Sequence, residues 1–272
     1  MKSHISVIIV LYNTPKSQLK KLLQYKDFKL LIFDQGKNNN FKIISKLIKS
    51  NFEYFHSNKN LGLAKATNFL IRKVKTSFFL FTQIDIKINY LSIINLYKSI
   101  KNKKNCIFAG PVLSKNYSKK NLKYKNHFII QDKIDVSIMM CNLNYVKKIR
   151  FFDEDFFLYW EDIDLMRRVK KTRYKIIKSL NAYAFHEKGG STDKSLNTFM
   201  IRKLNFKFGE FLYDLKTKRI RKIKIVRQLL QNLFKIPVNL IFLKFKKVII
   251  NTSELIGICK FLNFYVKKIL FN

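Results

Sequence analysis

The alternation of short apolar runs with helix-like segments over residues 1–110 constrains this chain more than any other feature. Ile5–Tyr12 (ISVIIVLY) is unbroken by charge and rich in β-branched residues, the pattern of a strand covered on both faces. Thr14-Pro15 then predict a helix running to about Tyr25, with Thr14 as cap and Pro15 in the first turn. Residues 29–33, 52–56 and 77–82 predict further strands, and 41–49 and 60–73 predict the helices between them. A β-α-β-α-β-α-β order implies an α/β fold with a parallel sheet flanked by helices. Ligands of such sheets sit beyond the C-terminal strand ends, which here carry Asn13, Asp34 and Asp85. Residues 106–150 predict shorter strands with a connecting helix, and 174–177 and 182–186 predict two strands on either side of a turn. From about Ser195 the alternation gives way to long basic and apolar segments that predict helices. We therefore expect a domain over residues 1–195 and a basic helical extension over 196–272.

Composition narrows the partners. The formal charge is +38, from 55 Lys+Arg against 17 Asp+Glu, and it favours anionic partners: nucleotides, pyrophosphates, anionic lipid or nucleic acid. The basic residues are spread along the chain and form no single arm of the kind that marks a nucleic-acid tail. Cys106, Cys141 and Cys259 are widely spaced and lack a C-x-x-C pair, which speaks against a disulfide framework or a zinc site and for a reducing compartment. The N-terminal apolar run is too short for a signal-peptide core with its cleavage site, and no stretch reaches the ~20 apolar residues of a spanning helix. A cytoplasmic location follows as the expectation.

In a chain this poor in acid, residues 151–168 (FFDEDFFLYWEDIDLMRR) concentrate Asp153, Glu154, Asp155, Glu161, Asp162 and Asp164. Phe156, Phe157, Leu158, Tyr159 and Trp160 form an apolar wall directly before Glu161-Asp162. A carboxylate that opens a helix beside such a wall can be desolvated enough to act as a base. The same carboxylates would also complement the positive end of a helix dipole.

Four features then stand in order: VIIVLYN (7–13) with LLIFDQG (30–36), NKNLGLAKATN (58–68), FFLFTQID (78–85), and the acidic segment followed by HEKGGS (186–191). Together, over roughly residues 5–195, they resemble the family 2 glycosyltransferases of the GT-A fold, particularly bacterial rhamnosyl- and galactofuranosyltransferase-like members. The resemblance implies a Rossmann-like nucleotide-sugar-binding domain. It also implies an inverting transfer of sugar from a UDP- or dTDP-linked donor to a glycan or lipid-linked acceptor in bacterial surface polysaccharide biosynthesis. On this resemblance Asp34 would bind a pyrimidine ring or ribose hydroxyl, although Gln35-Gly36 replaces the residues that usually follow it. Asn13, Asn60, Gly62, Lys65 and Asn68 would contact the donor, with Gly62 letting backbone approach a phosphate and Lys65 acting as a point charge. Gln83-Ile84-Asp85 stands in place of the family's D-x-D motif and retains only its last carboxylate. Asp85 and His186 would share a divalent cation, Mn²⁺ or Mg²⁺. Asp162 would be the general base, Glu161 would bind acceptor hydroxyls or orient the site, and Tyr159 and Trp160 would stack on a sugar.

Two rival readings follow from the same residues. Gln83 keeps open a non-catalytic nucleotide- or glycan-binding protein on the same fold. A basic nucleic-acid-binding protein is permitted by charge, but the dispersed lysines and the lack of a recognised motif lead us to expect no nucleic-acid partner. For the extension the alternatives are peripheral contact with the cytoplasmic leaflet of the inner membrane, packing on the catalytic domain, or a homodimer contact.

Overall fold

The computed structural model describes residues 2–49, 51–114, 127–187 and 189–270. Residues 115–126 of the predicted 106–150 region and Lys188 of HEKGGS lie outside the described residues. The chain divides into two units: Met1–Asp153 with Leu165–Asp193, and Glu154–Asp164 with Lys194–Asn272.

The first unit is built on β1 (Ile5–Tyr12), β2 (Lys29–Gln35), β3 (Phe52–Ser57), β4 (Phe78–Thr82), β5 (Ile86–Ile88), β6 (Cys106–Ser114), β7 (Phe128–Gln131), β8 (Ile138–Asn142) and β9 (Lys175–His186). Its helices are α1 (Lys16–Leu19), continued by a 3₁₀ segment (Lys20–Tyr25), α2 (Phe41–Leu47), α3 (Leu63–Lys73), α4 (Tyr90–Ile100) and α5 (Leu143–Ile149). The division falls within α6 (Glu161–Lys170). Among the described residues the strands form one sheet in the order β3-β2-β1-β4-β8-β6-β9-β5, with β7 paired to β9. The first four strands run parallel, as the sequence predicts, and β8 joins β4 antiparallel.

Side-chain alternation explains the layering. Ile5, Val7, Ile9 and Leu11 of β1 pack with Leu19, Leu22 and Ile44 on one face, whereas Ile8 packs with Ala64 and Leu70 of α3 on the other. Leu30 and Ile32 against Leu31 and Phe33 of β2, and Phe78 and Leu80 against Phe79 and Phe81 of β4, divide in the same way. Because both faces are covered, these strands lack the polar alternation of a half-exposed sheet.

Two local expectations are corrected. The predicted turn between strands at 174–177 and 182–186 is a bulge within the single strand β9. Lys178 pairs with Gly110 and Tyr183 with Val112, so β9 gains residues opposite Pro111. Proline has no N–H for the ladder, and a bulge absorbs the gap. Thr14 does not cap α1 either: Pro15 is the N-cap residue, and the Thr14 hydroxyl donates instead to the Ser191 carbonyl at 2.9 Å.

In the second unit, α7 (Leu196–Lys216), α8 (Lys222–Ile241) and α9 (Phe245–Leu270) are the helices expected of the extension. Phe156 joins their core of Phe208, Phe211, Leu212, Ile225, Ile258 and Phe261. Gly257 permits the approach of α9 to α7, because a Cβ there would lie 2.5 Å from the Leu204 carbonyl oxygen. Three acids of this unit are held in ion pairs: Glu210 with Lys207 and Lys224, Asp214 with Lys224, and Asp155 with Lys216.

Candidate active site

The parallel strands place β1 between β2 and β4, so the chain leaves β1 in opposite directions along the sheet. The crevice beyond the C-terminal ends at such a reversal is where α/β sheets bind ligands. Asn13 follows β1 there, Asp34 is the last residue but one of β2, and Gln83 to Asp85 follow β4.

Asp34 is buried, and its Oδ2 accepts three hydrogen bonds: from Tyr54 Oη (2.6 Å), Asn40 Nδ2 (2.9 Å) and the Asn40 backbone N–H (3.2 Å). None of these donors uses Oδ1. Burial, reinforced by the Asp34 carboxylate, pushes the Tyr54 phenol well above its usual range, so Tyr54 remains a donor. The next residue, Gln35, ties the donor loop to the strand. Its Oε1 accepts from Leu61 N at 2.9 Å, and Asn60 Oδ1 accepts from Gly62 N at 3.0 Å. Gly62 (φ +83°) then enters α3, whose first turn carries the exposed Lys65. Asn68, further along α3, exchanges two bonds with the Phe152 backbone, Nδ2 to O at 2.8 Å and N to Oδ1 at 3.2 Å.

Gly36 explains the departure after Asp34. It has φ +128°, and a Cβ there would lie 2.4 Å from Oδ1 of Asn13, itself left-handed at φ +43°. Gly36→Ala is therefore expected to lower stability by about 1–3 kcal/mol and to weaken ligand binding at this crevice. Thermal melting with and without ligand checks both effects.

Asp85 is 1 % exposed. Antiparallel pairing of β5 with β9 sets Ile86 opposite His186, and His186 Nε2 lies 3.4 Å from Asp85 Oδ2. Burial raises the Asp85 pKa, but the hydrogen bond and charge of His186, with backbone N–H donors, together outweigh it, and the carboxyl stays below its ordinary value. Oδ1 is buried with no hydrogen-bond partner. Two residues after β9 bond back to the strand ends: Glu187 N donates to Asp85 O, and Asp193 N donates to Asn13 O. Glu187 is paired with Lys21 and Lys87, and those hydrogen bonds, Lys21 first, lower its pKa. The first unit thus brings Asn13, Asp34, Asn60, Gly62, Gln83, Asp85 and His186 to the ends of adjoining strands.

Among the described residues no cluster of three or more His, Cys, Asp or Glu is placed to hold a metal ion. Asp85 and His186 nevertheless fit part of a coordination sphere. An unpartnered buried carboxylate oxygen and an imidazole beside it are suitable donors for a divalent cation whose remaining ligands come from elsewhere.

Tyr159, Trp160, Glu161 and Asp162 belong to the second unit. Tyr159 and Trp160 are both left-handed, at φ +69° and +70°, a conformation that bulky residues rarely adopt. Helix α7 holds them there. Trp160 Nε1 donates to the Phe206 carbonyl at 3.0 Å, Arg202 Nε donates to Tyr159 Oη at 2.6 Å, and Gly209 leaves room for the indole. A Cβ on Gly209 would lie 2.7 Å from Trp160 Cδ1. Consecutive strained residues directly before paired carboxylates are a feature of sites whose geometry is held for function.

The two carboxylates have different surroundings. Glu161 is 5 % exposed, its Oε2 has no hydrogen-bond partner, and burial, with a smaller push from Asp162, raises its pKa to about 8. Asp162 is half-buried, and its Oδ1 accepts from Ile163 N at 2.8 Å. Sequence reasoning assigned no role to Gln35, Gly36, Tyr54, Asn40 or Gly209. The signal for the first two was the departure from the family pattern after Asp34, and the others carry no local signal.

A family model described as Glycosyl transferase family 2 matches residues 6–180. No curated protein sequence matches the chain. Among solved structures, GalNAc-T7 with UDP, GalNAc and Mn²⁺ is similar at TM-score 0.57 and 13 % identity, over 75 % of this chain and 47 % of that one. The mannosyltransferase PcManGT from Pyrobaculum calidifontis, in complex with GDP-Man and Mn²⁺, is similar at TM-score 0.57 and 10 % identity, over 82 % and 66 %. TarS of S. aureus is similar at TM-score 0.51 and 16 % identity, over 76 % and 39 %. The chain spans less than two thirds of each of these relatives, and at such identities the likeness is one of fold: the GT-A architecture.

Proposed function

The chain belongs to glycosyl transferase family 2, and on that basis we propose that it transfers a sugar from a nucleoside diphosphate sugar to an acceptor hydroxyl. The observation that carries the reading is the buried Asp85, with one oxygen unpartnered and the other beside His186, at the strand ends that also present Asn13 and Asp34. Asp34 Oδ1 is the oxygen offered to a base or ribose hydroxyl. The Asn60–Gly62 turn and Lys65 face the phosphates, and Asn68 holds the Phe152 backbone. Asp85 and His186, with Gln83 as a neutral neighbour, hold a divalent cation, Mn²⁺ or Mg²⁺, as the Mn²⁺ in two of the similar structures supports. Such an ion, when bound, offsets charge on the diphosphate leaving group.

In the proposed reaction Asp162 accepts the proton of the acceptor hydroxyl. That oxygen bonds to the anomeric carbon as the bond to the diphosphate breaks, with inversion and release of the nucleoside diphosphate. Glu161 binds or orients the acceptor, and Tyr159 and Trp160, rigidly held, supply its aromatic wall. We take the donor to be UDP- or dTDP-linked, dTDP-rhamnose being one candidate. The acceptor is a glycan or lipid-linked glycan of bacterial surface polysaccharide assembly, and the setting is cytoplasmic.

A thermal-shift panel of UDP- and dTDP-sugars, with and without Mn²⁺ or Mg²⁺, tests the reading. A metal-dependent shift for one donor is expected, equivalent to about 2.7 kcal/mol at a hundredfold excess over Kd, and lost in Asp85→Ala. No shift with any nucleotide sugar would refute donor binding. A shift without turnover on any acceptor would favour a non-catalytic binding protein, the reading that Gln83 keeps alive.

A further inference from the structure

Helix α8 presents an apolar stripe to solvent. Ile223, Val226, Leu230, Phe234 and Ile241 are spaced three, four or seven residues apart, on one side of a helix whose other side buries Ile225 and Asn232. Ile223 is 78 % exposed, Phe234 71 % and Ile241 77 %, so the stripe is open along about 27 Å of helix. It continues into the bend before α9, where Phe242, Leu243 and Phe245 are 64 %, 71 % and 58 % exposed. A patch of this extent on an otherwise charged chain marks an interaction surface.

Its charge identifies the occupant. Residues 222–253 contain no Asp or Glu. Lys224 is neutralised by Glu210 and Asp214, whereas among the described residues Lys222, Arg227, Lys235, Lys244, Lys246 and Lys247 have no carboxylate partner. We propose that the α8 stripe and the α8–α9 bend lie in the plane of an anionic lipid surface, with the apolar side chains in the headgroup–acyl boundary and the flanking cations on lipid phosphates. No helix among the described residues is long and apolar enough to cross a membrane, so the contact is in-plane. A second copy of the same face would bring these uncompensated cations against their own kind. Nucleic acid would match the charge but leave the apolar stripe in water. Lysine stems cover apolar surface while their ammonium groups reach phosphate, which suits Lys244, Lys246 and Lys247 beside Phe242 and Leu243.

Flotation of the full-length protein with vesicles containing phosphatidylglycerol, against vesicles of phosphatidylcholine alone, tests this. The protein is expected to float with the anionic vesicles and to be released as salt rises. Phe242→Ser with Leu243→Ser should reduce the bound fraction about tenfold, as should Lys244→Glu with Lys246→Glu and Lys247→Glu. These side chains are exposed, and an unchanged circular dichroism melt shows that the variants fold. Equal partition into both vesicle types, no partition, or unaltered binding by both variants would overturn the proposal. A dimer by sedimentation equilibrium that dissociates in Phe242→Ser with Leu243→Ser, without vesicle binding, would assign the face to self-association. Vesicle binding requires no donor, so its outcome is separable from that of the transferase reading.

Discussion

Asp162→Asn is expected to lower kcat by about 10²- to 10⁴-fold, the range supplied by one general base, while leaving the thermal midpoint and the donor-induced shift unchanged. Asn keeps the size and one carbonyl oxygen of the side chain, so the hydrogen bond from Ile163 N to position 162 can persist while proton acceptance is lost. Steady-state kinetics on the identified donor, beside thermal shift, separates chemistry from binding. The neighbouring carboxylate provides the control. If Asp162→Asn retains turnover and Glu161→Gln loses it, the base is Glu161, whose raised pKa and unpartnered Oε2 are the observations that would explain such a result.

The second large effect concerns stability and pH. The Glu161 pKa rises from 4.5 to about 8 on folding, chiefly through burial. Below about pH 4.5 both folded and unfolded chains carry the proton, and the stability associated with the neutral group is fully present. Between the two values the unfolded chain releases the proton and the folded chain keeps it, so stability falls as pH rises, and the loss is complete above about 8. Each tenfold difference in proton affinity between the folded and unfolded chains is worth about 1.4 kcal/mol, so the loss is on the order of a few kcal/mol. Glu161→Gln has no proton to lose. Its thermal midpoint relative to wild type should be level in acid, climb from about pH 4.5 to 8, and plateau above. Melting curves across that range check this, and a constant difference would show that Glu161 titrates alike in the folded and unfolded chains.

Much of this molecule was legible before folding. The apolar runs at 5–12, 29–33 and 77–82 mark β1, β2 and β4 because a strand covered on both faces is apolar at nearly every position, whereas β3, with Glu53 and His56, is a half-buried edge strand. The strand-end rule then pointed to Asn13, Asp34 and Asp85 without coordinates. Order and spacing of motifs identified the family, since a matching sequence of several short segments is far rarer than any one of them.

What the sequence could not supply is non-local. Only the family resemblance joined His186 to Asp85; the pairing of β5 with β9 in one register across a hundred residues sets them side by side, and alternation of side chains does not encode which strand is the partner. Pro111 makes a bulge of what reads as a turn in β9, because a missing N–H acts on the strand opposite. Gln35 becomes a tether for the Asn60–Gly62 loop once β2 and that loop are neighbours. Tyr159 and Trp160 hold left-handed backbone that their own chemistry disfavours, because α7 supplies the hydrogen bonds and the space at Gly209. Glu161 and Asp162 are adjacent and nearly alike as residues, and burial and hydrogen bonding separate them. Period thus determined the layered α/β sheet, and the ordered motifs carried the resemblance to the family, since both are local patterns. Register, burial and the company each ionisable group keeps were decided by tertiary structure, because desolvation and hydrogen bonding act through space.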